Sequence, residues 1–324
     1  MAQSSPSVLI IRLDAIGDAV ALTPLLQALS QRGIPTDIVL RAENFDALTP
    51  SAARERFIAP FALRSDTREN LAAISRFGAE LAQRAYTHVL VATEDPGGYR
   101  LAAATKAPAR IGFDNGWGKP LKTLWVRSLL TRTLHRSAGL DANAPHECEV
   151  LFALGQQLLP ATSPSKDPAL LRPFVIDGNV AADPRVALQI TDKWERLGIA
   201  FERVTQLARD LAGIAPLRAV ASARESAYAA RWHERTGIEV ELFEALPPWK
   251  TAIANARALV APDSGAIHIA GMAGTPTVAI FPPGPAFELQ AARWHPWAAS
   301  YRAIEATPEW HRNASAALAQ LLLG

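Results

Sequence analysis

One cysteine, Cys148, stands in 324 residues. It excludes an intramolecular disulfide and any metal centre built on several thiolates, and it fits a reducing compartment. Long apolar runs are missing too, since no window approaches the roughly 20 apolar residues that span a bilayer. The opening MAQSSPSVLIIRLDA has no basic stretch followed by a long apolar one, so a secretory leader is not expected. Charge of one sign is also lacking: 33 Lys and Arg against 31 Asp and Glu give a formal net charge of +2, too little for a nucleic-acid field over the whole molecule. Neither G-x-G-x-x-G nor G-x-x-x-x-G-K-[ST] occurs, which argues against ordinary dinucleotide-dehydrogenase and P-loop chemistry. There is no repeat of fixed period and no low-complexity tract. These absences predict a cytoplasmic protein without a nucleic-acid partner.

What is present is apolar and alternating. Hydrophobic residues make up 49% of the chain, enough for two cores, since single cores stop growing near roughly 250–300 residues. Short runs rich in Val, Ile and Leu read as strands at 7–14, 36–41, 88–93, 186–191, 218–222, 238–243, 258–262 and 277–282. Helical patterns lie between them. One is TPLLQALSQRG (23–33), where Thr23 can cap, Pro24 suits the first turn and Gly33 closes the end. Another covers 66–85, and a last one, 307–323, starts at Thr307-Pro308. Strands apolar on both faces with helices between them predict α/β architecture with parallel sheets. The proline-rich LPATSPSKDPALLRP (159–173) reads as a linker, giving domains 1–165 and 166–324 with a cleft between them.

In open α/β sheets ligands sit beyond the carboxyl ends of the strands, here the loops starting at Asp14, Thr191, Ser222, Pro262 and Pro282. The first loop, LDAIGDAV, holds two aspartates around Gly17. Glycine permits a tight turn or a close approach of substrate to the backbone. Asp18 can cap the following helix or project as a general base toward a hydroxyl nucleophile, and spacing leaves both readings open. In APDSGAIHIAGMAG (261–274), Asp263-Ser264-Gly265 precede a helix pattern containing His268. The free N–H groups and positive dipole end of that helix suit a diphosphate; equally, Asp263 or Ser264 can simply cap it while His268 packs in the core. Lys193, in TDKW, follows another strand end and on position alone reads as a solvated charge.

VLIIRLDAIGDAVALTPLLQAL (8–29) closely resembles the N-terminal signature of glycosyltransferase family 9, the ADP-heptose:lipopolysaccharide heptosyltransferases. ARIGF (109–113), ITDKWERLG (190–198) and ALVAPDSGAIHIAGMAGTPTVAIFPP (258–283) follow in the order expected of that family. The resemblance implies a GT-B fold, two Rossmann-like parallel-sheet domains facing across a cleft, with the C-terminal helix packing back toward the N-terminal domain. It implies an inverting reaction that uses no metal and no cofactor, and the chain has no D-x-D metal-diphosphate motif. By resemblance Asp18 takes the role of catalytic base, with Asp14 and Gly17 supporting its loop. Lys193 faces the donor phosphates, offsetting charge on the departing diphosphate as a metal does in other transferases. Ser222, Glu225, Asp263, Ser264, Gly265 and His268 fall to the donor, Glu225 through its ribose. Three turns depart from the family pattern: QITDK replaces a His-Pro-Gly-like turn, Ala221-Ser222-Ala223 a glycine pair, and Pro282-Pro283-Gly284-Pro285 a Gly-Pro-Thr-type turn.

The acceptor side is expected in the N-terminal domain. Between Arg100 and Arg136 eight Lys and Arg face one acid, Asp114, and KPLKTLWVRSLLTRTLHR spaces Leu121, Leu124, Trp125 and Leu129 as one helical face. A helix packed on its own domain explains this, and so does a docking surface for an anionic glycolipid, with Arg100, Arg110, Lys119, Lys122 and Arg127 as its cations. The resemblance thus implies transfer of a heptose or related sugar from a nucleotide-sugar, ADP-heptose, to a lipopolysaccharide inner core or similar anionic glycan, in the cytoplasm with peripheral contact at the inner membrane face. The alternatives are another GT-B enzyme, such as a nucleotide-sugar epimerase, and a catalytically silent member that binds nucleotide or glycan.

Overall fold

A computed structural model describes residues 5–137, 139 and 145–323. The chain divides into two units, Met1–Ser165 and Lys166–Gly324. The first holds strands β1 (Val8–Ile11), β2 (Thr36–Leu40), β3 (Glu55–Ile58), β4 (His88–Val91), β5 (Ala109–Asp114) and β6 (Arg132–His135). The second holds β7 (Asp183–Gln189), β8 (Leu217–Ser222), β9 (Val240–Phe243), β10 (Ala256–Pro262), β11 (Thr277–Phe281) and β12 (Tyr301–Glu305). All pairings are parallel.

The sheets run β3-β2-β1-β4-β5-β6 and β12-β11-β10-β7-β8-β9. Counted from the first strand of each unit, these are the same Rossmann order, 3-2-1-4-5-6, which reverses between the first and fourth strands. The two reversal points lie between β1 and β4 and between β7 and β10. Beyond the carboxyl ends of those four strands a parallel sheet opens a crevice.

β1 is buried along its whole length, as are β2 and β11, as expected of strands covered by helices on both faces. The strands that the sequence reading lacks are the interior strand β5, ARIGFD, and three edge strands with charged or polar residues, β3, β6 and β12, namely ERFI, RTLH and YRAIE. An edge strand is half solvated, so its apolar run is broken.

Several local expectations change. Thr23 does not cap the helix Thr23–Gln31; it is the first helical residue, and its hydroxyl donates to the Val20 carbonyl at 2.6 Å. Gly17 is buried inside the short helix Ile16–Val20 and is not among the glycines at positive φ, so no left-handed turn requires it. The last helix begins at Trp310, three residues beyond Thr307. Its residues Trp310, Ala314, Ala317 and Leu318 lie in the second unit's core, beside the helix Phe201–Ala212.

That core is anchored on indoles. Trp194 is fully buried, its Nε1 donates to the Gln189 carbonyl at 2.9 Å, and its ring stacks on Trp310 at 5.7 Å. Trp194→Ala leaves a cavity and is expected to cost about 3–5 kcal/mol. The readout is the urea transition of the second unit, followed separately from the first; an unshifted midpoint would remove Trp194 from that role.

Candidate functional site

In the first unit the reversal point is filled by a cation. Arg12 follows β1 directly and is 2% exposed. Its Nη1 donates to the carbonyl of Ala92, just past β4, so the guanidinium bridges the two strands at which the order reverses. Nε donates to the Asp18 carbonyl at 2.9 Å and Nη2 to Asp18 Oδ1 at 3.0 Å. Asp14 Oδ2 lies 3.3 Å from Nη1 and Glu147 Oε1 3.5 Å from Nη2. Burial opposes the charge on Arg12, but Asp18, Asp14 and Glu147 more than offset it, and the guanidinium holds its proton more firmly than a free arginine.

Asp18 is the third residue of the short helix Ile16–Val20 and not its cap. Its Oδ2 accepts the Ala15 N–H at 3.0 Å, closing the start of the short helix, and its Oδ1 is held by Arg12. The side chain remains 26% exposed, so a carboxylate fixed at two points still meets solvent. Asp14 differs. Burial pushes its carboxyl above the ordinary value, Arg12 opposing and Asp18 adding to the shift. The loop beneath is pinned by fully buried Asn44, whose Nδ2 donates to the Asp14 carbonyl at 2.7 Å.

The ion pairing continues outward. Glu147, fully buried, receives both oxygens' hydrogen bonds from Arg136 at 3.0 Å. Arg136 Nε faces Glu94 Oε1 at 3.4 Å, and Glu94 Oε2 accepts from Lys122 at 2.6 Å. This explains the expected acceptor cations. Lys122 is paired with Glu94, Arg127 with Asp114 at 2.7 Å and Arg100 with Asp66 at 2.5 Å. Arg110 donates to the carbonyls of Leu129 and Ala107, and Lys119 is exposed. The run looked nearly free of acid because the neutralising carboxylates Asp66, Glu94 and Glu147 come from other segments.

In the second unit the corresponding point is neutral. Ser264 Oγ donates to Gln189 Oε1 at 2.7 Å, joining the ends of β10 and β7, and accepts the Ala266 N–H at 3.3 Å as cap of the helix Gly265–Ala273. Asp263, Ser264 and Gly265 are partly exposed at that helix start. Lys193, also half-buried, opens the turn after β7, its N–H donating to Thr191 Oγ1 at 3.2 Å. Glu225 is occupied: its carboxylate accepts from Thr191 Oγ1 at 2.6 Å and from the Asp192 N–H at 3.1 Å, bracing the loop that carries Lys193. Ser222 caps a short turn through the Arg224 N–H at 3.3 Å. His268 is buried, edge-on to Trp294 at 5.8 Å, as the core-packing alternative expects. Among the described residues no three His, Cys, Asp or Glu gather as a metal site.

Arg12, Asn44, Glu147 and Gln189 are not singled out by the sequence, and Thr191 only as the start of a loop. Arg12 carried a signal, a lone charge inside VLIIRLD, since a cation at the end of a buried strand must find buried partners. Glu147, at the start of the apolar helix Glu147–Leu154, carried a weaker one.

Residues 245–319 match the family model for glycosyltransferase family 9 (heptosyltransferase). A search of curated proteins gave no significant match. Among solved structures, a family 9 glycosyl transferase from Veillonella parvula superimposes with a TM-score of 0.75 at 17% identity, covering 100% of this chain and 99% of the other. The E. coli heptosyltransferase WaaC with ADP gives 0.73 at 19% identity, over 97% and 99% of the chains. E. coli ADP-heptose lps heptosyltransferase II gives 0.69 at 17% identity, over 98% of each. The fold is thus shared with these structures along the whole chain, while the match to the family model is confined to residues 245–319.

Two predictions follow from the ion network. Arg12→Ala takes from buried Glu147 one of the cations it pairs with, and removing one partner of a buried pair costs about 3–5 kcal/mol; denaturant titration of the first unit checks it, and a loss no larger than that of a surface alanine would contradict it. The second concerns acid. Burial raises the carboxyls of Glu94 and Asp114, but hydrogen bonds from Lys122 to Glu94, and from Thr133 and Arg127 to Asp114, bring both below their ordinary values. Each therefore stabilises the fold fully above its ordinary value, 4.5 for Glu94 and 3.8 for Asp114, and loses that contribution as pH falls through its lowered folded value. Unfolding of Glu94→Gln/Asp114→Asn across that acid range should depend less on pH than the wild type.

Proposed function

We propose that this protein is an inverting, metal-independent glycosyltransferase that moves a heptose from ADP-heptose to the inner core of lipopolysaccharide or a similar anionic glycan. The observation that carries the reading is the pair of constellations at the two sheet reversals, a fixed carboxylate held by Arg12 in one unit, and in the other a helix start capped by Ser264 with Lys193 on the loop after β7. The family match over 245–319 covers the helix start at Gly265 but not Lys193. ADP-heptose is taken as donor from the heptosyltransferases of the same fold.

The acceptor hydroxyl gives its proton to Asp18 while its oxygen attacks the anomeric carbon. The bond from that carbon to the donor oxygen breaks, and its electron pair leaves on the diphosphate. The face of the sugar opposite the leaving group is attacked, so the configuration inverts. Lys193 and the N–H groups at the Ser264–Gly265 helix start take up the charge developing on the diphosphate. Arg12 keeps Asp18 pointing at one place, which is how a general base gains from position as well as basicity. Gln189 orients Ser264 and Glu225 braces the Lys193 loop, each a positioning residue. The reading assigns Asp14 and Gly17 to loop support, Asp263 and Ser222 to the donor's edge, and cytoplasmic work at the inner membrane face, where such an acceptor is presented.

Calorimetric titration with ADP, UDP, GDP and then ADP-heptose tests the donor. Selective ADP-heptose binding that weakens in Lys193→Ala is expected; preference for UDP or GDP would overturn the donor. Asp18→Asn should lose about 10²–10⁴-fold in kcat while ADP affinity persists. Near-wild-type turnover would remove Asp18 from the chemistry, and sugar turnover without acceptor would favour an epimerase.

A further inference from the structure

The helix Pro120–Leu129 does not present the apolar face that its spacing suggests. Its inward side is Thr123 and Val126, with Leu130 just beyond its end, all buried. Trp125 lies half-buried, edge-on to Tyr99 at 5.9 Å and beneath the Arg100 guanidinium at 5.3 Å. Leu121 and Leu124 point the other way, 83% and 68% exposed, and Trp117, in the turn that precedes the helix, is 94% exposed. Isolated exposed apolar residues are ordinary, but three large ones on one short segment mark a contact surface.

The charge around this face selects its occupant. From Asn115 to Arg136 the chain holds five cations and no acid. Lys119, Arg127 and Arg132 are exposed beside the apolar residues. Arg127 leans on Asp114, a carboxylate only 2% exposed, whereas Lys119 and Arg132 make no ion pair among the described residues. An indole and two leucines rimmed by lysine and arginine suit the headgroup boundary of an anionic bilayer, where the apolar groups enter and the cations stay among phosphates. The same helix carries Lys122, the outer end of the ion chain that runs through Glu94, Arg136 and Glu147 to Arg12 and Asp18.

We infer that Trp117, Leu121 and Leu124, with Lys119 and Arg132, form a docking face for an anionic membrane surface. This deepens the proposed function, since a lipid-anchored acceptor would then be delivered to the unit that carries Asp18. No helix among the described residues is long and apolar enough to cross a membrane, so the contact is peripheral.

The test is co-sedimentation of the full chain with vesicles of phosphatidylcholine alone and with about one-third phosphatidylglycerol. The wild type should bind the anionic vesicles and lose binding as salt rises. Trp117→Ala/Leu121→Gln/Leu124→Gln should weaken that binding by roughly tenfold or more, and Lys119→Glu/Arg132→Glu should remove its dependence on lipid charge. Wild-type protein that stays in the supernatant, or a triple variant that binds as the wild type does, would overturn the inference. So would a concentration-dependent dimer in sedimentation velocity that the triple variant abolishes, because the face would then be covered by a second copy. ADP titration of the triple variant separates this from the donor reading: unchanged ADP affinity with lost vesicle binding assigns the loss to the face alone.

Discussion

A guanidinium withdrawn from water must find its acceptors in the protein or destabilise it, and that requirement organises the first unit. Arg12 sits where β1 and β4 part. To satisfy it, Asp18 must turn back from the following helix, Glu147 must approach from a helix more than a hundred residues later, and the Ala92 carbonyl must be left available past β4. The loop that carries the candidate base is thereby specified by the partner it serves. Asn44 holds the same loop from below through the carbonyls of Arg12 and Asp14.

The second unit solves the same topological problem without charge. Gln189 and Ser264 join β7 to β10 by one neutral hydrogen bond, and Ser264 also caps the helix that starts just beyond them. One strand order thus yields two sheet reversals of different character, one filled by a cation that orients carboxylates, the other joined by neutral side chains.

The basic stretch teaches a related lesson. Counted along the chain it is almost free of acid; in the fold Glu94, Glu147 and Asp66 arrive from other segments and pair with its cations. What remains exposed is smaller and more apolar than the sequence suggests, centred on Trp117, a residue that helical periodicity does not reach because it precedes the helix.

Period and composition alone determined the α/β class, the positions of the interior strands other than β5, the division near residue 165 and the loops at strand ends, because buried parallel strands must be apolar on both faces and prolines interrupt regular structure. Spacing left Asp18 open between cap and base, and only the resemblance carried by VLIIRLDAIGDAVALTPLLQAL pointed to it as a base. Only tertiary structure decided which cations are already neutralised, that Glu225 braces a loop, that His268 is packed, that the last helix serves its own unit, and that Arg12 is the hub. Each of these depends on a partner dozens to more than a hundred residues away, and no local pattern records which distant side chain will meet which.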